Sequence, residues 1–200
     1  MIDILRSLRW TDYFLYALVD PRSLYRHISQ NDPRAFALSF TVPAAAAIAD
    51  ILAGSLFGNQ TLFFFYKITY GWILLSIFYV LKNAVISTIM DASAQFRGMK
   101  GNAREMVCLV NFSMFPQVFV LPLTCIFVVF GFAPVFFYIA IGLGLSVWSA
   151  MVAVQGISEM HRTNTGKAVF IYIFPYIVIW ASLFFMTVLL FILTGGYLTS

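Results

Sequence analysis

Between Glu105 and Glu159 the chain runs for about fifty residues without an Asp, Glu, Lys or Arg. A bilayer asks for such a stretch, because a spanning helix needs about 20 mostly apolar residues. Fifty residues make two spans, and Gly131-Phe132-Ala133-Pro134 is the turn between them. Composition agrees: 62% of the 200 residues are hydrophobic and 10% are charged, whereas a soluble domain carries roughly 25% charged residues. A soluble enzyme, a DNA-binding module and a disordered chain are thereby excluded, and no nucleic-acid partner is expected. The net charge of +4 is read instead as topology information.

The remaining charges cluster. Nine precede the first apolar run, five fall in one loop (Asp91, Arg97, Lys100, Arg104, Glu105) and three in another (Glu159, Arg162, Lys167). The intervals between them predict an all-α integral membrane protein with five transmembrane helices at about 35–57, 62–90, 105–130, 134–157 and 168–194. Gly58-Asn59-Gln60 separates the first two. Residues 1–34 form an N-terminal arm, and 35–194 a single membrane domain. Five spans put the arm and both charged loops on one side, with ten Lys and Arg there and none in the opposite turns. The positive-inside rule then predicts a cytoplasmic N-terminus and an external C-terminus, in a multi-pass protein. The first 34 residues lack the apolar region of a secretory signal, so the first span is expected to be its own insertion signal.

Within the arm, Met1–Leu18 alternates Ile2, Leu5, Leu8, Phe14 and Leu15 with Arg6, Arg9 and Asp12, and adds Trp10, Tyr13 and Tyr16. That pattern predicts an amphipathic helix in the cytoplasmic interface; the alternative is an arm packed on the loops. Asp20-Pro21 and Asp32-Pro33 predict a short helix over 21–29 and then the start of the first span, with Asp as cap and Pro at the first helical position. The turn Thr163-Asn164-Thr165-Gly166 opens the fifth helix with a threonine as candidate cap. Pro43, Pro116, Pro122 and Pro175 predict kinks within the bundle. Ala45, Ala49 and Ala53, then Ala140 with Gly144 and Gly142 with Ser146, predict close helix contacts. Cys108 and Cys125 lie roughly 25 Å apart on one helix and cannot be bridged.

Only Asp50, Lys67 and Lys82 are charged inside apolar stretches. A hairpin turning at Gly58-Asn59 sets Asp50 and Lys67 level, with Ala46 and Gly54 one turn either side of Asp50. They are the candidate intramembrane ion pair: either the pin of the hairpin or a group that moves a proton or an ion. Lys82 is expected near the cytoplasmic face, snorkelling or meeting Asp32. Asn83, with Thr69 and Ser76, and Ser113, Gln117 and Thr124 on the third helix complete a candidate polar interior, read as interhelical hydrogen bonding or as a substrate path. No phosphate-cradling loop, zinc-protease helix or nucleophile elbow is present. Glu159-Met160-His161 is the only acid beside a histidine, and its two side chains point to different helix faces. No catalytic residue, cofactor or metal is therefore expected.

One pattern is more specific. The chain reads Asp20-Pro21-Arg22-Ser23-Leu24-Tyr25, then Ala94-Gln95-Phe96-Arg97-Gly98-Met99-Lys100-Gly101, then Asn111-Phe112-Ser113-Met114-Phe115-Pro116, Trp148-Ser149 and Thr163-Asn164-Thr165-Gly166-Lys167-Ala168. Over residues 20 to 194 this resembles the Yip family, named for eukaryotic members that interact with Ypt/Rab GTPases. The resemblance implies a five-helix domain with a cytoplasmic N-terminus. Its motif positions here are Gly98 and Gly101 before the third helix, Pro116 within it, Trp148 in the fourth and Lys167 opening the fifth. It also implies membrane organisation or trafficking without catalysis. Two departures, the split glycine pair and the missing long cytosolic region of the trafficking members, argue against a small-GTPase partner and for a bacterial-type member in the inner membrane; a eukaryotic member would sit in Golgi or ER. The expected partners are the bilayer, with anionic headgroups at the cytoplasmic face, and a membrane protein or a second copy. The competing function is a small transporter or channel using Asp50, Lys67 and the polar stripes.

Overall fold

The computed structural model describes residues 9–29, 33–56, 62–131 and 134–198. Every regular element among them is helical: α1 Arg9–Val19, α2 Pro21–Ser29, α3 Pro33–Ser39, α4 Thr41–Ser55, α5 Leu62–Gln95, α6 Ala103–Ser113, a 3-10 turn Phe115–Phe119, α7 Val120–Val129, α8 Pro134–Met160 and α9 Thr165–Leu198. Five stretches are long and apolar enough to cross a membrane: Arg34–Ser55, Ile68–Gln95, Ala103–Val129, Phe136–Met160 and Thr165–Ile192. The chain is thus an all-α integral membrane protein with five spans, as the charge spacing predicts. One end of the bundle carries the arm and the charged loops and is called the loop end below; the other carries the short connections and is called the turn end.

Several helices run past their apolar stretches. The second span continues five residues beyond residue 90, through Gln95, because Asp91 is used inside the fold and does not mark a loop. Gly98 then ends α5 in the left-handed region (φ +75), with the Gly98 and Met99 N–H groups donating to the Gln95 and Ala94 carbonyls. The cap of α9 is Asn164, whose side chain accepts from the Lys167 N–H at 3.0 Å, and not a threonine. Asp20 caps α2 as expected, accepting from the Ser23 hydroxyl and N–H.

Proline acts in two ways. Pro43 has no N–H to offer Ser39, and the first span breaks at Phe40 into α3 and α4. Pro116 turns the middle of the third span into one stretch of 3-10 helix, whereas α9 passes Pro175 without ending.

Most of the core lies toward the loop end. Tyr13, Ala17, Leu24 and Ile28 of the arm are buried with Met90, Met106, Leu109, Phe112, Ile157 and Ile171 of the spans. A smaller cluster near the turn end joins Ala49 and Ala53 to Val120 and Leu145. Of the small-residue contacts predicted on α8, only Ser146 meets a neighbouring span, at Gln117: Ala140 and Gly144 are exposed, and a Cβ on Gly142 or Gly144 would meet nothing within 4 Å. The close approach is at Gly156, where a Cβ would overlap a Leu109 methyl. Beyond Ile179, the α9 side chains through Ile192 are exposed on every face, a surface suited to lipid chains.

The arm helix packs against the bundle, on the third span and not on the loops. Residues 1–8 lie outside the described residues. On α1 the Tyr13 ring stacks on Phe112 and Phe14 packs against Phe112 and Phe115, so the helix lies along the third span. Its far side exposes Leu15 and Val19.

Candidate functional site

The polar side chains of the interior gather in three places. The first surrounds Asp50 on α4. Its carboxylate accepts hydrogen bonds from the Tyr79 hydroxyl of α5 at 2.9 Å and from the Tyr138 hydroxyl of α8. Neither tyrosine is singled out by sequence reasoning, since both sit among many aromatics. The expected partner, Lys67, has its side chain outside the described residues. Tyr79 lies about three helical turns further along α5 than Lys67, and its hydroxyl reaches Asp50 from that distance along the helix. Lys82 lies on the half of α5 toward the loop end. Its ammonium lies 4.8 Å from the Tyr79 ring centroid. Asp32, its other candidate partner, lies outside the described residues.

The second place is a buried amide cluster. Asn83 Nδ2 donates to Asn111 Oδ1 at 3.0 Å, and Asn111 Nδ2 to Ser39 Oγ at 3.2 Å, tying α5, α6 and α3 together. All three residues are 2% exposed or less. Asn83 was expected in the interior; Asn111 and Ser39 were not singled out for this role. Of the third-span stripe, Ser113 bonds its own helix at Val110 O, Gln117 reaches Ser146 of α8 at 3.2 Å, and Thr124 is buried with its hydroxyl unpartnered. The stripe therefore divides between helix bonding, interhelical bonding and an unfilled position. On α5, Tyr79, Asn83, Ser87, Asp91 and Gln95 recur every fourth residue. That ladder is legible in sequence only once Asp91 is placed on the helix.

The third place is the loop end. Tyr25 donates to Glu105 at 3.0 Å, and Arg26 pairs with Glu159 at 2.9 Å, so α2 bolts the arm to the third and fourth spans. Burial and the adjacent Glu105 push the Tyr25 phenol up to about 12. Asp91, 4% exposed, accepts from the Gln95 amide and from the Asn102 N–H. Asn102 in turn caps α6. A Cβ on Gly101 would overlap the Gln95 side chain, which explains a glycine there. His161 is held below the usual histidine range by burial, with Asp91 opposing, and its Nε2 is buried without a partner. Glu105 and Glu159 are each engaged by α2, so the acids nearest His161 in sequence are already committed. His27 is packed against Tyr13 and Tyr16. Arg97 lies 3.8 Å over the Phe170 ring and Trp148 stacks on Phe119. Lys167 stays exposed at the start of α9. Among the described residues no group of three His, Cys, Asp or Glu side chains converges as a metal site would require.

The motif positions Gly98, Gly101, Pro116, Trp148 and Lys167 thus each have a defined place, at a helix end, a close contact, a helix break, a ring stack and a helix start. The sequence pattern of the Yip1 domain matches residues 15–188. The chain belongs to the Yip1 domain family. No curated protein and no solved structure matches it. The match begins within α1 of this Yip1 domain protein and ends within α9.

Proposed function

We propose that this Yip1 domain protein is a non-enzymatic organiser of membranes that acts through contacts at its loop end, with that end in the cytoplasm. One observation carries the reading: α2 locks the arm to the ends of the third and fourth spans through Tyr25–Glu105 and Arg26–Glu159. Toward that end Arg22, Lys100, Arg162 and Lys167 are exposed, as are the apolar side chains Phe96, at 90% exposure, and Val19, at 74%. Exposed cations with exposed apolar groups suit an anionic headgroup layer, where each nearby Lys or Arg contributes about 1 kcal/mol.

The test is a variant retaining Trp10 as its only tryptophan, reconstituted with brominated lipids. Brominated anionic lipid should quench Trp10 more than brominated zwitterionic lipid at equal mole fraction, and alanine at Arg22, Lys100 and Lys167 should remove the preference. Equal quenching by the two lipids would refute the lipid part of the reading. Crosslinking from position 96 in native membranes then asks for a protein partner or a second copy.

A second reading, transport, is favoured by Asp50, because an ionisable side chain within a span marks a pathway or a relay more often than it serves packing alone. Solute or ion flux in liposomes, lost in Asp50→Asn, would support it over the contact reading.

A further inference from the structure

A cavity of about 40 Å³ opens at the loop end, between the starts of the first and third spans. A single water-sized group needs about 10–15 Å³ of such space, so about three fit. The floor is apolar. Ile28 of α2, Ala35 of α3 and Cys108 of α6 are each 5% exposed or less, and the Cys108 thiol is turned to the Ala35 carbonyl. The rim carries charge, because Arg104 and Glu105 follow one another at the start of α6 and both line the opening. The Arg104 guanidinium lies 5.1 Å from the ring centroid of Phe36, which lines the side toward α3. Among the described residues it pairs with no carboxylate. Glu105 accepts from the Tyr25 hydroxyl through Oε2, which leaves Oε1 open.

We propose that this cavity holds the headgroup of a phosphatidylethanolamine lipid, with the phosphodiester on Arg104 and the primary ammonium on Glu105 Oε1. Depth supports a lipid: a polar rim over an apolar floor, placed where two spans begin, is the layering of the headgroup region at the edge of the hydrocarbon. Charge selects the headgroup. Opposite charges side by side, each with an unused face, call for a ligand that carries both, and phosphoethanolamine holds its anion and its ammonium two carbons apart. The guanidinium fork matches phosphate oxygens, and the Phe36 ring gives it a surface to rest on. The ammonium donates an N–H to the open carboxylate oxygen. Phosphatidylcholine has no such N–H, and its three methyl groups overfill the space. Phosphatidylglycerol brings an anion and leaves Glu105 unmatched. The site is distinct from Arg22, Lys100 and Lys167, and it selects a zwitterionic lipid where the contact reading calls for an anionic one.

The experiment is native mass spectrometry of the full chain released from nanodiscs that hold equal parts of phosphatidylethanolamine, phosphatidylcholine and phosphatidylglycerol. The wild type should retain one phosphatidylethanolamine in preference to the other two lipids. Arg104→Gln and Glu105→Gln should each lower that retention about tenfold or more, the effect of losing a hydrogen bond to a charged group. Tyr25→Phe removes the bond to the other Glu105 oxygen and should leave retention unchanged, which separates loss of the ligand contact from loosening of α2. Equal retention of phosphatidylethanolamine and phosphatidylcholine, or retention unmoved by both glutamine variants, would overturn the proposal. Phosphatidylglycerol held as well as phosphatidylethanolamine, or a loss in Tyr25→Phe equal to that in Glu105→Gln, would overturn the assignment of the ammonium to Glu105. Water-soluble glycerophosphoethanolamine at the concentration of the lipid should not displace it; displacement would overturn a lipid as the source of the headgroup. Quenching of Trp10 is a separate readout on other residues, so a failure here leaves the contact reading standing.

Discussion

Replacing Asn111 by alanine tests the idea that the interior is held by directed polar bonds as well as by packing. Asn111 is 1% exposed. It accepts from Asn83 of α5 and donates to Ser39 of α3, so its removal breaks two interhelical hydrogen bonds at once. Such bonds in membrane proteins average about 0.6 kcal/mol and reach about 1.7 kcal/mol, because the chain unfolded in the membrane also finds partners. Two of them, with the packing of the lost amide, give an expected cost of about 1–3 kcal/mol. The orphaned groups limit the damage: Asn83 keeps its contact with the Met114 sulfur, and Ser39 still donates to the Phe36 carbonyl. The assay is reversible unfolding in mixed lipid and detergent micelles for Asn83→Ala, Asn111→Ala and the double variant. A coupling between the two of about 0.6–1.7 kcal/mol is expected. Ser113→Ala supplies the contrast, because that hydroxyl bonds only the Val110 carbonyl of its own helix, and its cost should stay below about 0.5 kcal/mol. Additive costs for the two asparagines, or a Ser113→Ala cost as large as Asn111→Ala, would refute the reasoning.

Gly156→Ala should destabilise by about 1–3 kcal/mol through overlap with Leu109, and Leu109→Ala in the same chain should recover part of the loss, whereas Gly144→Ala, facing open space, should be neutral or slightly stabilising. His161 is held low by burial, so below its ordinary 6.5 the unfolded chain takes up a proton that the native state refuses; stability should fall as the pH drops from about 7, and His161→Gln should flatten that slope in a pH-dependent unfolding series. Tyr25 is raised, so its contribution is full below pH 10 and is lost as the pH climbs from 10 to about 12; Tyr25→Phe should remove this alkaline dependence. Arg26→Ala breaks an ion pair whose arginine is 65% exposed and should cost less than about 1 kcal/mol, with the difference vanishing in high salt.

The position of charge along the chain was enough to count and place the five spans, since the cost of ions in hydrocarbon applies to each helix separately and needs no knowledge of neighbours. Local chemistry was equally legible where it acts within a few residues: the Asp20 cap of α2 follows from sequence, whereas Pro116, read as a kink, interrupts the α-helix with a 3-10 stretch. Failures came where a residue type has two uses. Asp91 reads as a loop charge, yet it is buried and holds Asn102 and Gln95. Ala140 and Gly144 read as a helix contact, yet they face outward while Gly156 makes the close approach.

Partner choice inside the bundle was decided by tertiary structure alone. Sequence supplied Asp50 and Asn83 as polar groups within the spans that each need a partner, because an unmatched polar group is costly in an apolar medium. Which groups answer that need depends on how far one helix slides and turns against the next. The packing of the first, second and fourth spans brings the Tyr79 and Tyr138 hydroxyls to the carboxylate of Asp50, and Lys82 to the ring of Tyr79.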